Sequence, residues 1–417
     1  MKKFLAIILG ALFVMSFAAS AFAIHAEIPS ETSAVVSKGT TQITLDGQIR
    51  VRGWWKNNLT ASGDPATTNS QAYYDQRVRL GVDAKIASNV EGYVQLETGS
   101  GATDTYTWGN FNSKPASLSI LQDWILYTGD GLFGVPAGLK VGHMPLALGE
   151  KEFFDHTKYG DDAIVFFVDP VKEMHVALLT IKFAEGNKAV SGDDLDGYVG
   201  MATYQLDPKN MVGINYTYLN QSMNRFSHQN LGLQANGNVS GLGYKAVADI
   251  QFGKASETSK FKGYAFMAAV NYMVDPVNLR AMFGYGSGPT ASNDVKMFTP
   301  YLSNDRYNTL VYDYQMNTTA GAEHMGLANT TLFNIGADFT PVKDITASLD
   351  GYLIRASKEV VPGGSKDAGW EVDGQVKYNV AKNLTYEVNA GYMKTGKFYG
   401  PDKKGVSVVN NVLTLSF

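Results

Sequence analysis

Between Thr41 and Trp55 the chain alternates: Ile43, Leu45, Ile49 and Val51 hold one parity, and Gln42, Thr44, Asp46, Gln48, Arg50 and Arg52 hold the other. The next run repeats the pattern, with Val78, Leu80, Val82, Ala84 and Ile86 against Asp75, Arg77, Arg79, Asp83 and Lys85. Near the end, Trp370, Val372, Val376, Tyr378 and Val380 alternate with Glu371, Asp373, Gln375, Lys377 and Asn379. A period of two over such lengths specifies strands with one apolar and one charged face, and helical spacing fits none of them.

Charged residues on every second position also exclude most other classes. After the N-terminal stretch no apolar run reaches the roughly 18 residues of a membrane helix; the best are short, such as Ala163 to Val168. There is no cysteine, which removes disulfide frameworks, thiolate metal sites and covalent haem attachment together. The 43 glycines, 23 tyrosines and 21 phenylalanines against 13 prolines favour many strands joined by tight turns. A mean hydropathy of −0.13 does not exclude a membrane, because alternation hides the apolar band of a barrel.

Short turn sequences punctuate the strands: Asp169-Pro170, Asp207-Pro208-Lys209-Asn210, Asp275-Pro276-Val277-Asn278, Pro341-Val342-Lys343-Asp344 and Ala381-Lys382-Asn383. Tyr204, Tyr272, Phe339 and Tyr378 precede them on the apolar parity, where an aromatic girdle would meet one interface. Longer polar segments lie between, around 56–70, 99–115, 143–162, 184–195 and 289–329. With further turns near Ser88, Phe133 and Asn238, this predicts an all-β, antiparallel up-and-down barrel of about 18 strands over residues 41–417, sixteen being the nearest rival. Leu118 to Tyr127 fits poorly, because apolar residues fall on both parities, and Leu139 to Val141 is short for a span.

Lys2 and Lys3, the apolar stretch Phe4 to Phe17 and the sequence Ala21-Phe22-Ala23 have the form of a secretory signal, so residues 1–23 are expected to be cleaved and the mature chain to begin at Ile24. Taking Lys2 and Lys3 from the 35 basic residues leaves 33 against 39 acids, a net charge of −6 that disfavours nucleic acid as a partner. Residues 24–40 show no alternation and are read as a periplasmic N-terminal segment, either a tail or a short plug in the lumen mouth.

The final strand, Asn411-Val412-Leu413-Thr414-Leu415-Ser416-Phe417, resembles the assembly signal of Gram-negative porins, with Phe417 as its terminal aromatic. The stretch from Leu139 to Glu150 is similar to the strand leading into the third loop of substrate-selective and alginate-export porins, with His143 where that family usually has Arg. The resemblance implies a pore in the bacterial outer membrane, often trimeric, with the third loop folded inward. Outer-membrane lipid, the barrel-assembly machinery and small polar solutes and ions are the partners it implies.

Arg50, Arg52, Arg77 and Arg79 share the polar parity, so neighbouring strands are expected to gather four guanidinium groups on one patch of lumen wall. On the lipid face each would cost about 2–4 kcal/mol at the midplane. The alternative is a set of structural pairs with Asp75, Asp83, Glu91 and Glu97. The third loop, about 143–162, carries Glu150, Glu152, Asp155, Asp161 and Asp162 against only Lys151 and Lys158. Folded inward, its carboxylates would oppose the arginines and set a transverse field across a constriction.

No catalytic, metal or cofactor site is expected. His143 and His156 with Glu152 and Asp155 match no standard ligand spacing, and Asp193, Asp194 and Asp196 lack the late glutamate of a calcium loop. Gly284-Tyr285-Gly286-Ser287-Gly288 opens no helix, as a dinucleotide site would require. No serine pairs clearly with His175 or His228, which argues against a hydrolase. The reading is a porin passing small polar or charged solutes, with a substrate-selective channel and a non-conducting structural or adhesion barrel as alternatives.

Overall fold

The computed structural model describes residues 35–38, 41–59, 70–99, 103–109, 116–131, 134–190, 192–303, 305–400 and 404–417. The expected signal at 1–23 lies outside them. Among the described residues, 18 long antiparallel strands close into one barrel. The first nine are β1 (Thr41–Asn57), β2 (Gln71–Ala87), β3 (Val90–Thr98), β4 (Leu118–Asp130), β5 (Pro136–Met144), β6 (Asp161–Val171), β7 (Met174–Ala184), β8 (Leu195–Asp207) and β9 (Asn210–Gln221). The second nine are β10 (Phe226–Val239), β11 (Leu242–Lys254), β12 (Tyr264–Val274), β13 (Val277–Gly286), β14 (Thr330–Val342), β15 (Ile345–Ala356), β16 (Asp367–Ala381), β17 (Leu384–Thr395) and β18 (Val406–Ser416).

Each strand pairs with its chain neighbours, and β1 pairs with both β2 and β18, from Gln48↔Ser416 to Asn57↔Ser407, so no barrel edge is left open. Closure is completed by Gly47 and Phe417, whose amides and carbonyls exchange hydrogen bonds of 2.8 and 3.0 Å. Val35–Lys38, within the segment read as lacking strand character, adds a short antiparallel pairing to the start of β1.

Alternation divides inside from outside as the sequence requires. Leu80, Val82, Ile164, Phe166, Leu349 and Leu353 are exposed on the outer face, the band that lipid would cover. Tyr204, Tyr272 and Phe339 are exposed on that face beside the short turns. The irregular stretch in β4 has a local cause. Gln122 pairs with Gln95 and Ile120 with Leu96, so Leu121 is an extra, buried residue in a β-bulge. Leu118 and Ile120 face outward before it, Ile125 and Tyr127 after it, and the apolar parity changes at the bulge.

Two loops fill much of the interior. L3, residues 145–160 between β5 and β6, folds inward and packs Leu148, Phe153 and Phe154 on an apolar wall formed by Ala163, Ala177, Leu179, Ile181 and Val199. Burying each phenylalanine contributes about 2 kcal/mol. L7, residues 287–329 between β13 and β14, packs Leu310, Val311, Tyr312 and Met316 against Leu332, Ile354, Met393 and Val408 on the opposite wall. Strand Phe154–Asp155 of L3 pairs antiparallel with Ala147–Leu148 and parallel with Tyr301–Leu302 of L7, knitting the loops into one three-stranded sheet inside the lumen.

Candidate functional site: the lumen constriction

Between the two loops and the wall opens a cavity of about 760 Å³. Arg50 and Arg52 of β1 line one side, Glu150, Glu152 and Asp155 of L3 another, and Arg306 and Tyr307 of L7 a third. Cationic and anionic side chains therefore face one shared space.

Register explains the arginine patch. Arg50 lies directly opposite Arg77, Arg52 opposite Asp75 and Arg79 opposite Gln48. The like charges are held by acids on both flanks: Arg52 pairs with Asp75 at 2.8 Å, Arg79 with Glu97, and Asp104 accepts from Arg77 at 2.9 Å and from Arg50 at 3.3 Å. Asp75 and Glu97 thus serve as the sequence alternative had it, whereas Asp83 and Glu91 form no ion pair with these arginines. Asp104, from the loop between β3 and β4, had no sequence signal, because only the loop's fold brings it beneath two arginines. Burial by itself would raise its carboxyl, but Lys158, Arg50 and Arg77 together hold it at about 2. Arg50 and Arg52 line the large cavity; Arg77 and Arg79, beside them on β2, do not.

The acids expected on L3 separate into two groups. Glu150 reaches Lys245 of β11 at 2.7 Å, and Asp155 is buried, bonded to Thr157 and to Lys151 at 3.3 Å. Burial, then the carboxylates of Asp249 and Asp313, push Glu152 up to about 8, with Lys245 opposing. Asp161 and Asp162 do not line the cavity. They begin β6 and bond to histidines, Asp161 to His156 and Asp162 to His143, each at 2.8 Å. Asp162 has the parity of Ile164 and Phe166, so its side chain lies on the outer face at the rim, and the largely exposed carboxylate meets solvent there. The reason is the strand boundary: the loop ends at Gly160, and alternation already governs the two aspartates.

L7 is latched by buried carboxylates. Glu371 accepts the amides of Val311 and Tyr312 at 2.6 and 2.9 Å, and Asp373 accepts the amide of Leu310 at 2.8 Å. Both acids sit on the inner parity of β16, which the sequence shows, but alternation cannot say that a loop's amides are their partners. Lys245, Arg306 and Trp54 also line the cavity without having been singled out by sequence. One signal was present: β6 and β7 are apolar on both parities, as a wall must be where a loop packs on its inner face.

No family model matches the chain, and no curated protein matches it. Solved structures do. The chain is similar to Pseudomonas aeruginosa OccK2 (OpdF), with a TM-score of 0.60 and 10% identity over 89% of this chain and 97% of that one. It is likewise similar to P. aeruginosa OprD, at 0.59 and 8% over 89% and 95%, and to P. aeruginosa OccK5 (OpdH), at 0.57 and 10% over 89% and 98%. At these identities the likeness is one of fold: a closed 18-stranded barrel with loops.

Proposed function

We propose that this chain is a porin of the Gram-negative outer membrane, giving passive diffusion to small polar or charged solutes. The carrying observation is the cavity of about 760 Å³ bounded by Arg50 and Arg52 on one side and by Glu150, Glu152 and Asp155 on the other. Fixed charges of opposite sign across a narrow aqueous path orient dipolar solutes and bias ion passage, because the effective dielectric there is below that of bulk water. The outward apolar band supports a lipid-embedded barrel, and the likeness in fold to OccK2 and OprD agrees with a channel. Arg77 and Arg79 brace the acids Asp104 and Glu97 beside the cavity wall. Cleavage before Ile24, delivery by the barrel-assembly machinery through the strand ending at Phe417, and trimer formation complete the proposal. A solute-selective channel is favoured over a general one by a specific feature, the second inward loop, which narrows the lumen from the side opposite L3.

Planar-bilayer recording in a salt gradient tests this. Arg50→Gln with Arg52→Gln should move the reversal potential toward cation preference, and Glu150→Gln toward anion preference. The pair Asp193→Asn and Asp194→Asn, on the loop between β7 and β8, should move it far less, since screening over about 10 Å isolates outer charges. Absence of current, or one reversal potential for all variants and wild type, would sink the reading.

A further inference from the structure

Beneath L3 the barrel wall carries a small notch, and its roof, Glu152, also borders the constriction cavity. Asn215 of β9, Gly232 of β10 and Asp249 of β11 form one row across three strands, Asn215↔Gly232 and Gly232↔Asp249, all on the inner parity. Because the middle residue has no side chain, the flanking polar groups lean into the gap. The point that a Gly232 Cβ would occupy is 2.6 Å from Asn215 Nδ2, 2.8 Å from Asn215 Oδ1 and 2.9 Å from Asp249 Oδ1, so the Asn215 amide edge and one Asp249 oxygen face the gap. L3 roofs the gap with Glu152, leaving an enclosed cavity of about 10 Å³, lined also by Gln234. That is room for one water-sized or ion-sized occupant.

The chemistry of the lining is that of oxygen donors around a positive charge. Asn215 is 7% exposed and Asp249 3%. The side-chain oxygens of Asn215 and Gln234 are buried without a hydrogen-bond donor, and so is that of Asn230, whose amide nitrogen donates to Asp249 at 2.8 Å. Among the described residues neither Glu152 nor Asp249 forms an ion pair, and Lys245, the base nearby in sequence, is engaged by Glu150. The two carboxylates repel each other with Lys245 held at Glu150, and the orphaned buried acceptors add a desolvation cost.

We propose that this notch binds one calcium ion, which bridges Glu152 of L3 to Asp249 of the barrel wall with Asn215 and Gln234 as neutral oxygen ligands. Calcium accepts mixed carboxylate and amide oxygens at 2.3–2.6 Å in flexible geometry, whereas magnesium needs near-octahedral ligands and keeps several waters, for which the cavity has no room. The ion would pin L3 to the wall and hold the width of the constriction. The inference is independent of whether the barrel conducts.

The test uses the full mature chain refolded in detergent, free of lipopolysaccharide and stripped with chelator, then titrated with calcium chloride. Equilibrium dialysis should find one calcium per chain, half-saturating at about 10⁻⁴–10⁻³ M, and the heat-unfolding midpoint on gels should rise in parallel. Magnesium at equal concentration should give at least a tenfold weaker response. Asp249→Asn removes a ligand, and Gly232→Ala fills the notch while keeping both carboxylates; each should abolish stoichiometric binding. Retention of binding by both variants would place the ion elsewhere and overturn the proposal. Equal responses to calcium and magnesium, or no bound calcium in the wild type, would overturn it as well, leaving a buried water or a shared proton in the notch.

Discussion

The amide of Tyr301 donates to the carbonyl of Phe153 at 2.7 Å, so the longest loop of the barrel is hydrogen-bonded to L3 inside the lumen. This contact predicts a coupling. Tyr301→Pro removes the donor and should let the loops part, raising single-channel conductance with the barrel still heat-modifiable. Tyr301→Phe keeps the amide and loses only the phenolic bond to His228, so its conductance should stay near wild type. Equal conductance in both variants would show that this small sheet does not set the aperture.

The latch of L7 should be separable from the barrel. Glu371→Ala strips the acceptor from the buried amides of Val311 and Tyr312, costing about 1–3 kcal/mol for each group left unpaired. L7 should then leave the wall, with trypsin cutting at Arg306 while the strands stay protected. Cleavage at the wild-type rate would mean that apolar packing alone seats the loop.

Asp104 supplies a pH dependence with a defined sign. Its carboxyl is held at about 2, below the ordinary aspartate value, so the stability it adds is present above about pH 4 and is lost as pH falls toward 2. The difference in unfolding free energy between wild type and Asp104→Asn should be about 2 kcal/mol from pH 8 to 4 and should shrink below that. A difference that stays constant down to pH 2 would rule out Asp104 as the counter-charge of Arg50 and Arg77.

Gly47 and Phe417 add the last pair of hydrogen bonds to the β1–β18 seam. The Phe417 ring lies over Gly47, where any Cβ would collide with it. Deleting Phe417, or changing Gly47→Val, should lower the yield of heat-modifiable protein without lowering synthesis. Unchanged folded yield in both would exclude this contact from assembly.

The sequence by itself determined the barrel. Period two, turn residues and aromatic positions are local properties, and they sufficed for a barrel of about 18 strands with short turns, although not to exclude sixteen, because a strand's neighbours along the chain are also its neighbours in space. They also sufficed to put Arg50, Arg52, Arg77 and Arg79 on the inner parity. Alternation reports which side of the wall a residue faces and carries no information about what faces it across the lumen. Only the tertiary structure therefore decided that Asp104 joins Arg50 to Arg77, and that His143 is the partner of Asp162. The same limit hid the carboxylates of β16 that seat L7 and the row of Asn215, Gly232 and Asp249 beneath Glu152. Each joins groups distant in sequence, through loops whose path is set by packing on the inner wall, and no spacing along the chain encodes that path.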